Sequence, residues 1–207
     1  MVGSRTQALL DRDFAYRNAY QWIDLERISA HAAIAVIAAE DQLFPFHAGF
    51  DLKSIREAVR SSSNPRKRVR GASTISQQVA KNLFLWPGRS WLRKGLEAWF
   101  TVLIEALWPK ERILEAYLNL AEFGRGTYGV EAAARRFYRK SAGRLTRRES
   151  ATLAAVLPNP KVYRVDRPSR YVLARRDRIL GQMRALGGPA YLDQLDDEAP
   201  PPQPPRR

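Results

Sequence analysis

At 207 residues the chain is long enough for one domain with a sizeable core and too short for a second catalytic domain beside it. The absence of cysteine excludes disulfides and thiolate metal sites, and two histidines, His31 and His47, argue against a zinc centre. A formal charge of +14, from 35 Lys and Arg against 21 Asp and Glu, favours anionic partners: nucleic acid, acidic lipid head groups or pyrophosphates. Lys and Arg cluster at 60–70, 135–140, 144–148 and 175–178, but no zinc finger and no aromatic RNP block accompanies them, which argues against nucleic acid.

Residues 1–30 contain no hydrophobic span and no signal peptide. The first strong element is an apolar run, AAIAVIAA at 32–39, far short of the roughly 20 residues that cross a bilayer. It reads as a buried helix over 29–40 that ends in Glu40 and Asp41. A carboxylate at a helix C-terminus opposes the helix dipole, and the neighbours Phe44 and Phe46 desolvate it, so Glu40 is suited to hold and pass a proton. Read alone, Glu40 or Asp41 serves equally well as a cap or as the partner of an arginine.

A second helix is expected over 51–61, followed by a polar, basic linker at 61–70 that ends in RKRVR. The most informative stretch comes next, GASTISQQVAKN at 71–82. Ile75, Val79 and Leu83 fall at i, i+4 and i+8 and give the helix over 73–84 one core stripe. Ser73, Thr74, Gln77, Gln78, Lys81 and Asn82 occupy the rest, a set suited to hydrogen bonding with a sugar or phosphate, or else to decorating a surface. Ser73 or Thr74 also serves as the helix N-cap.

A long helix over 90–107 carries Arg89, Arg93 and Glu97 at intervals of four, either a functional row or a surface ion-pair ladder. Its broad face of Leu92, Leu96, Trp99, Phe100, Leu103, Ile104 and Leu107 reads mostly as core. Tryptophans 86, 91, 99 and 108 divide between core and membrane interface, where tryptophan sits well. Further helices are expected over 110–121, 129–137, 146–157 and 168–186. Between the first two of these, GRGTYG at 124–129 lacks phosphate-loop spacing and reads as a tight turn. Thr146 and Glu149 have capping-box spacing, and the tail from 193, with prolines at 200, 201, 202, 204 and 205, reads as disordered.

Four of these blocks together resemble the monofunctional peptidoglycan glycosyltransferases, a lysozyme-like family (glycosyltransferase family 51). The pattern Glu-Asp-x-x-Phe-x-x-His-x-Gly is met by Glu40, Asp41, Phe44, His47 and Gly49. Gly-x-Ser-Thr-Ile-x-Gln-Gln-x-x-Lys-Asn is met at every fixed position of 71–82, and Arg-Lys-x-x-Glu by Arg93, Lys94 and Glu97. RILEAYLN at 112–119, ahead of EFGRGTYG at 122–129, is similar to the family's fourth block. The resemblance covers roughly residues 20–165.

That resemblance implies a mainly α, lysozyme-like single domain with a smaller hydrophobic, membrane-facing jaw. It divides the chain into an N-terminal segment at 1–20 where the family's membrane anchor is absent, a glycosyltransferase domain at 21–186, and a Pro-rich tail at 187–207. It implies polymerisation of lipid II into β-1,4-linked glycan, with Glu40 as general base and Glu97 as a second carboxylate acting as acid, metal ligand or organiser. Lys81 and Arg89 match cations that grip the pyrophosphate, surrounded by Gln77, Gln78, Arg93 and Lys94, with Ser73, Thr74, Asn82, Asp41, Phe44 and His47 completing the substrate site. No cofactor is required by this chemistry, although an oxygen-rich site at Glu97 leaves room for Mg2+ or Mn2+. The expected partners are lipid II, the growing glycan, a membrane surface and proteins of cell wall synthesis or division, with no nucleic acid. The expected location is the outer, periplasmic face of the cytoplasmic membrane. The chemistry is coherent by itself: a pyrophosphate leaving group needs cations more than a proton donor. A muramidase or lytic transglycosylase on the same scaffold would use Glu40 but leave Lys81, Arg89 and the Ser-Thr/Gln-Gln helix without a role. A non-catalytic derivative of the fold would have lost an acid, and neither Glu40 nor Glu97 is lost.

Overall fold

In this computed structural model residues 19–51, 73–88 and 90–195 are described. The centre of the protein is α1 (Ala30–Glu40), started by Ser29, whose hydroxyl accepts from the His31 amide and donates to the Leu145 carbonyl. Residues 32–38 are all buried, so the helix has no polar face, as its unbroken apolar run demands. Its alanines let neighbours approach closely, while Ile34 and Ile37, both fully buried, each contribute about 2 kcal/mol of apolar transfer.

Around α1 pack α6 (Arg147–Val156), α7 (Arg170–Ala185) and a 3-10 turn over Gly188–Gln194. On the other side α2 (Ile75–Phe84) packs against α3 (Trp91–Leu107) and α4 (Lys110–Leu120), and α5 (Val130–Tyr138) follows a small sheet. That sheet has the order β1 (Ala19–Tyr20), β3 (Thr127–Tyr128), β2 (Glu122–Gly124), with β1 parallel and β2 antiparallel to β3. The glycine-rich stretch at 124–129 is therefore a hairpin turn leading into α5. Gly129, at φ +83°, could not carry a side chain there, because a Cβ would stand 2.8 Å from the Asn119 carbonyl oxygen. Asn119 holds the start of the fold: its side chain accepts from the Ile23 amide at 3.0 Å and donates to the Ile23 carbonyl at 2.9 Å.

The helices expected over 29–40, 73–84, 90–107, 110–121, 129–137, 146–157 and 168–186 are present with ends shifted by up to two residues. The capping box at Thr146 and Glu149 is formed, and Thr74, not Ser73, caps α2 in a second box with Gln77. The expected helix at 51–61, the linker at 61–70 and the tail beyond 195 lie outside the described residues.

Three expectations need correction. Gly188–Gln194 forms part of the packed body, because Tyr191 is buried and its hydroxyl donates to the Gln42 carbonyl at 2.6 Å, so a tail starting at 187 begins too early. In α2, Ile75 and Val79 are buried, but Leu83 lies beyond the core and is 39% exposed. The wide apolar face of α3 is mostly not core: Ile104 is buried, whereas Leu92, Trp99 and Leu107 are exposed, with Leu107 at 74%. The reason is geometric. Among the described residues the neighbouring helices of α3 are α2 and α4, which cannot cover a 17-residue helix that is apolar over more than one stripe. Trp86, Trp91, Leu83, Phe84 and Val102 join the uncovered residues. Trp108 is partly buried against the core.

Candidate active site

The C-terminus of α1 delivers Glu40 to the junction of α2, α4 and α7. One carboxylate oxygen, Oε2, accepts from Gln78 Nε2 at 3.1 Å, and the other, Oε1, accepts from Arg175 Nη2 at 3.3 Å. The Tyr117 hydroxyl donates to Gln78 Oε1 at 3.3 Å and so orients the amide with its NH2 group towards Glu40. Burial raises the Glu40 pKa above its ordinary value, against the opposing pull of Gln78 and Arg175; Asp41 adds to the rise and Lys81 subtracts. Burial also holds the Tyr117 phenol well above its usual range, which keeps it a proton donor.

Asp41, next in the chain, is buried and turned the other way. Its carboxylate faces His47 Nε2 at 3.0 Å and accepts from the Ile75 amide, the first of α2, also at 3.0 Å. Because His47 Nδ1 accepts from the Gly49 amide at 3.1 Å, the imidazole hydrogen sits on Nε2 and donates to Asp41. Thr74 completes the joint, its hydroxyl donating to the Gly49 carbonyl at 2.7 Å. Gly49 has φ +84°, and a Cβ there would lie 2.6 Å from Thr101 Cγ2. Phe44 is fully buried beneath the Lys110 ammonium, which also pairs with Glu105. Asp41, Phe44, His47, Thr74 and Gln77 are thus committed to the framework that joins the end of α1 to the start of α2. Asp41, Thr74, Gln77 and Phe44 are buried there, whereas His47 also lines an open pocket with Phe46 and Ala48.

On α3, Glu97 is 4% exposed and ion-paired on both oxygens, with Arg93 at 3.4 Å and with Lys94. The Arg93 Nε is buried without a partner. Lys81, one turn beyond Gln77 and Gln78, joins the two halves. It is accessible as a residue yet set among dense protein. Partial burial is the main influence lowering its amine pKa; Glu97 and Glu40 oppose that fall, while Arg93 and Lys94 reinforce it. Lys81 therefore feels the charge of both carboxylates. Ser73, just before the cap of α2, and Asn82, next in the chain after Lys81, are exposed, and Arg89 lies outside the described residues.

Among the expected site residues, Glu40, Gln78, Lys81, Arg93, Lys94 and Glu97 come together here. Both oxygens of Glu97 face cations, Arg93 and Lys94, and among the described residues no three His, Asp or Glu side chains converge. Arg175 and Tyr117 escaped the sequence reading. Arg175 lay in a run read only as charge, although it shares a helical face with Val172 and Ile179, both buried, and that spacing marks an inward-facing arginine. Tyr117 was hidden in the apolar stripe of α4. No helix among the described residues is long and apolar enough to cross a membrane.

Residues 7–184 match the family model described as Transglycosylase. The chain is 57% identical over 192 residues to a protein of Xanthomonas campestris pv. campestris (strain B100) named biosynthetic peptidoglycan transglycosylase, covering 93% of this chain and 78% of that one. A protein of the same name from Pectobacterium carotovorum subsp. carotovorum (strain PC1) is 55% identical, with 93% of this chain and 79% of that one covered. With a mainly α, lysozyme-like body and two carboxylates set among Lys81, Arg93, Lys94 and Arg175, the chain belongs to the transglycosylase family and is a glycosyltransferase.

Proposed function

We propose that this protein builds peptidoglycan by polymerising lipid II into β-1,4-linked strands, with release of undecaprenyl pyrophosphate. Glu40 takes the proton from the 4-hydroxyl of the acceptor N-acetylglucosamine. That oxygen forms a bond to C1 of the donor N-acetylmuramic acid as the bond from C1 to the pyrophosphate oxygen breaks, inverting the configuration. The electron pair leaves on the pyrophosphate, whose growing charge is met by Lys81 and by Arg89, Arg93 and Lys94. Glu97 is the organiser of that nest, holding Arg93 and Lys94 in place while its own charge is neutralised. The exposed Ser73 and Asn82, at the two ends of α2, complete the substrate side, and Asp41, Phe44, His47, Thr74 and Gln77 support it from behind.

The observation that carries this reading is Lys81, placed in the fields of Glu40 and Glu97 at once. A base and a cation converge where one sugar must lose a proton and another a pyrophosphate. The exposed Leu83, Phe84, Trp86, Trp91, Leu92, Trp99, Val102 and Leu107 form an apolar rim beside this groove, suited to lie in a lipid interface and admit a polyprenyl substrate. We place the enzyme accordingly on the outer, periplasmic face of the cytoplasmic membrane, among proteins of cell wall synthesis or division.

Fluorescent lipid II in detergent, resolved by gel after incubation with the purified chain, tests this. The native chain should give a ladder of lengthened glycan, and Glu40→Gln should give none while still binding substrate. Normal turnover by Glu40→Gln would remove Glu40 as the base. Shortening of preformed glycan without any ladder would favour a muramidase or lytic transglycosylase.

A further inference from the structure

We propose that Arg175 is a positioning residue for Glu40, clamping one carboxylate oxygen from α7 while the Tyr117–Gln78 pair clamps the other. The proposal rests on Glu40 acting as the base of glycosyl transfer.

Glu40 and Arg175 are separated by 135 positions in the chain, and only the packing of α7 on α1 brings them together. The arginine is held on the inward face of α7 between Val172 and Ile179, with 19% of its side chain exposed. Its Nη2 reaches Glu40 Oε1, while its Nε is buried with no partner. On the opposite side Gln78 occupies Oε2, and Tyr117 prevents the amide from turning its oxygen to the carboxylate. Two donors arriving from different helices, one at each oxygen, fix the plane of the carboxylate as a single donor could not. The lone pairs left over are those available to an incoming sugar hydroxyl.

The clamp also answers an electrostatic difficulty. Burial favours the protonated carboxyl, and a protonated Glu40 cannot accept a proton. The groups that face Glu40 act in both directions. Asp41, directly after α1, favours protonation; Lys81 from α2 and Arg175 from α7 favour the ionised form, as does the neutral amide of Gln78. Tyr117 from α4 is kept neutral by its burial. The buried residues of α6, from Ser150 to Val156, include no ionisable group, and Tyr191 of the 188–194 turn is spent on the Gln42 carbonyl. Arg175 is thus the cation in direct contact with the base.

Two readouts test this on the full chain. The first is a titration of the Glu40 side-chain carboxyl by NMR on 13C-labelled glutamate, with Glu40→Gln used to assign the signal. The second is kcat and KM for glycan formation across pH. In Arg175→Ala, Glu40 should titrate at higher pH than in the native protein, and the acid limb of kcat should move the same way. At neutral pH kcat should fall about 10–100-fold, the span of one lost charged hydrogen bond, with KM little changed. Arg175→Lys should recover most of the limb position. If Arg175→Ala does not fold, Arg175→Gln, which keeps the bulk without the charge, is read in the same two ways. An unchanged Glu40 titration, or a loss of kcat equal at every pH with lysine no better than alanine, would overturn the proposal. A native chain that makes no glycan would instead defeat the transfer reading, and the NMR titration would still decide the clamp.

Discussion

Asp41→Asn is a small change with a calculable result. The Asp41 carboxylate is 6% exposed and receives two hydrogens, one from His47 Nε2 and one from the Ile75 amide, both at 3.0 Å. Neither donor can turn away, because His47 Nδ1 is held by the Gly49 amide and Ile75 opens α2. Asparagine supplies one oxygen for two donors, and its NH2 group must then face one of them, hydrogen against hydrogen. One charged hydrogen bond is lost and one buried donor left unpaired, which together cost about 2 kcal/mol. Asp41→Ala strands both donors and should cost about 4 kcal/mol. Guanidinium unfolding reads this as a lower midpoint at unchanged slope. Because the same joint sets the start of α2, and with it Gln78 and Lys81, turnover should fall along with stability. An Asp41→Asn protein with native stability and a raised KM alone would refute the reasoning and place Asp41 against substrate.

Burial raises Glu40 above its ordinary value of 4.5, and as the proposed base it acts in its ionised form. The rate should therefore be lost as pH falls through a pKa above the ordinary carboxylate range, and an acid limb at or below 4.5 in the pH profile of kcat would contradict this. Thr146→Ala removes the capping box of α6, distant from the groove, and should lower stability by about 1 kcal/mol in chemical denaturation with turnover unchanged. Equal stability would show that Glu149 caps the helix unaided. The double change Trp91→Ala with Leu92→Ala should leave folding stability within about 0.5 kcal/mol, since Trp91 is 92% exposed, yet weaken binding to anionic lipid vesicles in a flotation assay. Undiminished vesicle binding would remove that end of α3 from the lipid contact.

The helices were legible because their signals are local. An apolar run such as 32–39 has one sensible placement, and Thr146 with Glu149 marks a helix start by spacing alone. The strands were not, since elements of two or three residues are too short to show an alternation. The apolar face of α3 marks a different limit: periodicity tells which residues share a side but not what covers it, so exposed Trp99 and Leu107 read like buried Ile104. Within the site, Glu40, Lys81 and Glu97 were visible as motif positions, and the fold brings Lys81 within reach of the charge of both carboxylates. The partners that set their behaviour were not visible. Gln78 resembled a sugar-binding amide until Glu40 and Tyr117 were seen to occupy it, and Arg175 resembled surface charge until α7 was packed on α1. Long-range pairing of this kind leaves no spacing signal in a single chain. The turn at 188–194 was missed because Gly187, Gly188 and Pro189 signal an ending, whereas one buried ring, Tyr191, keeps the chain attached.

One consequence follows from α2 being unbroken from its cap to its tip. Gln78, which donates to Glu40, and Phe84, stacked on Phe100 with centroids 4.6 Å apart among the exposed apolar residues, belong to the same rod. Six residues at 1.5 Å each set about 9 Å between them. The helix is therefore a depth gauge, fixing by residue count how far the chemistry stands from the greasy edge. Adding or deleting a single residue between 79 and 83 would shift that height by about 1.5 Å and swing the tip about 100° around the axis. The length of this segment is as constrained as its composition.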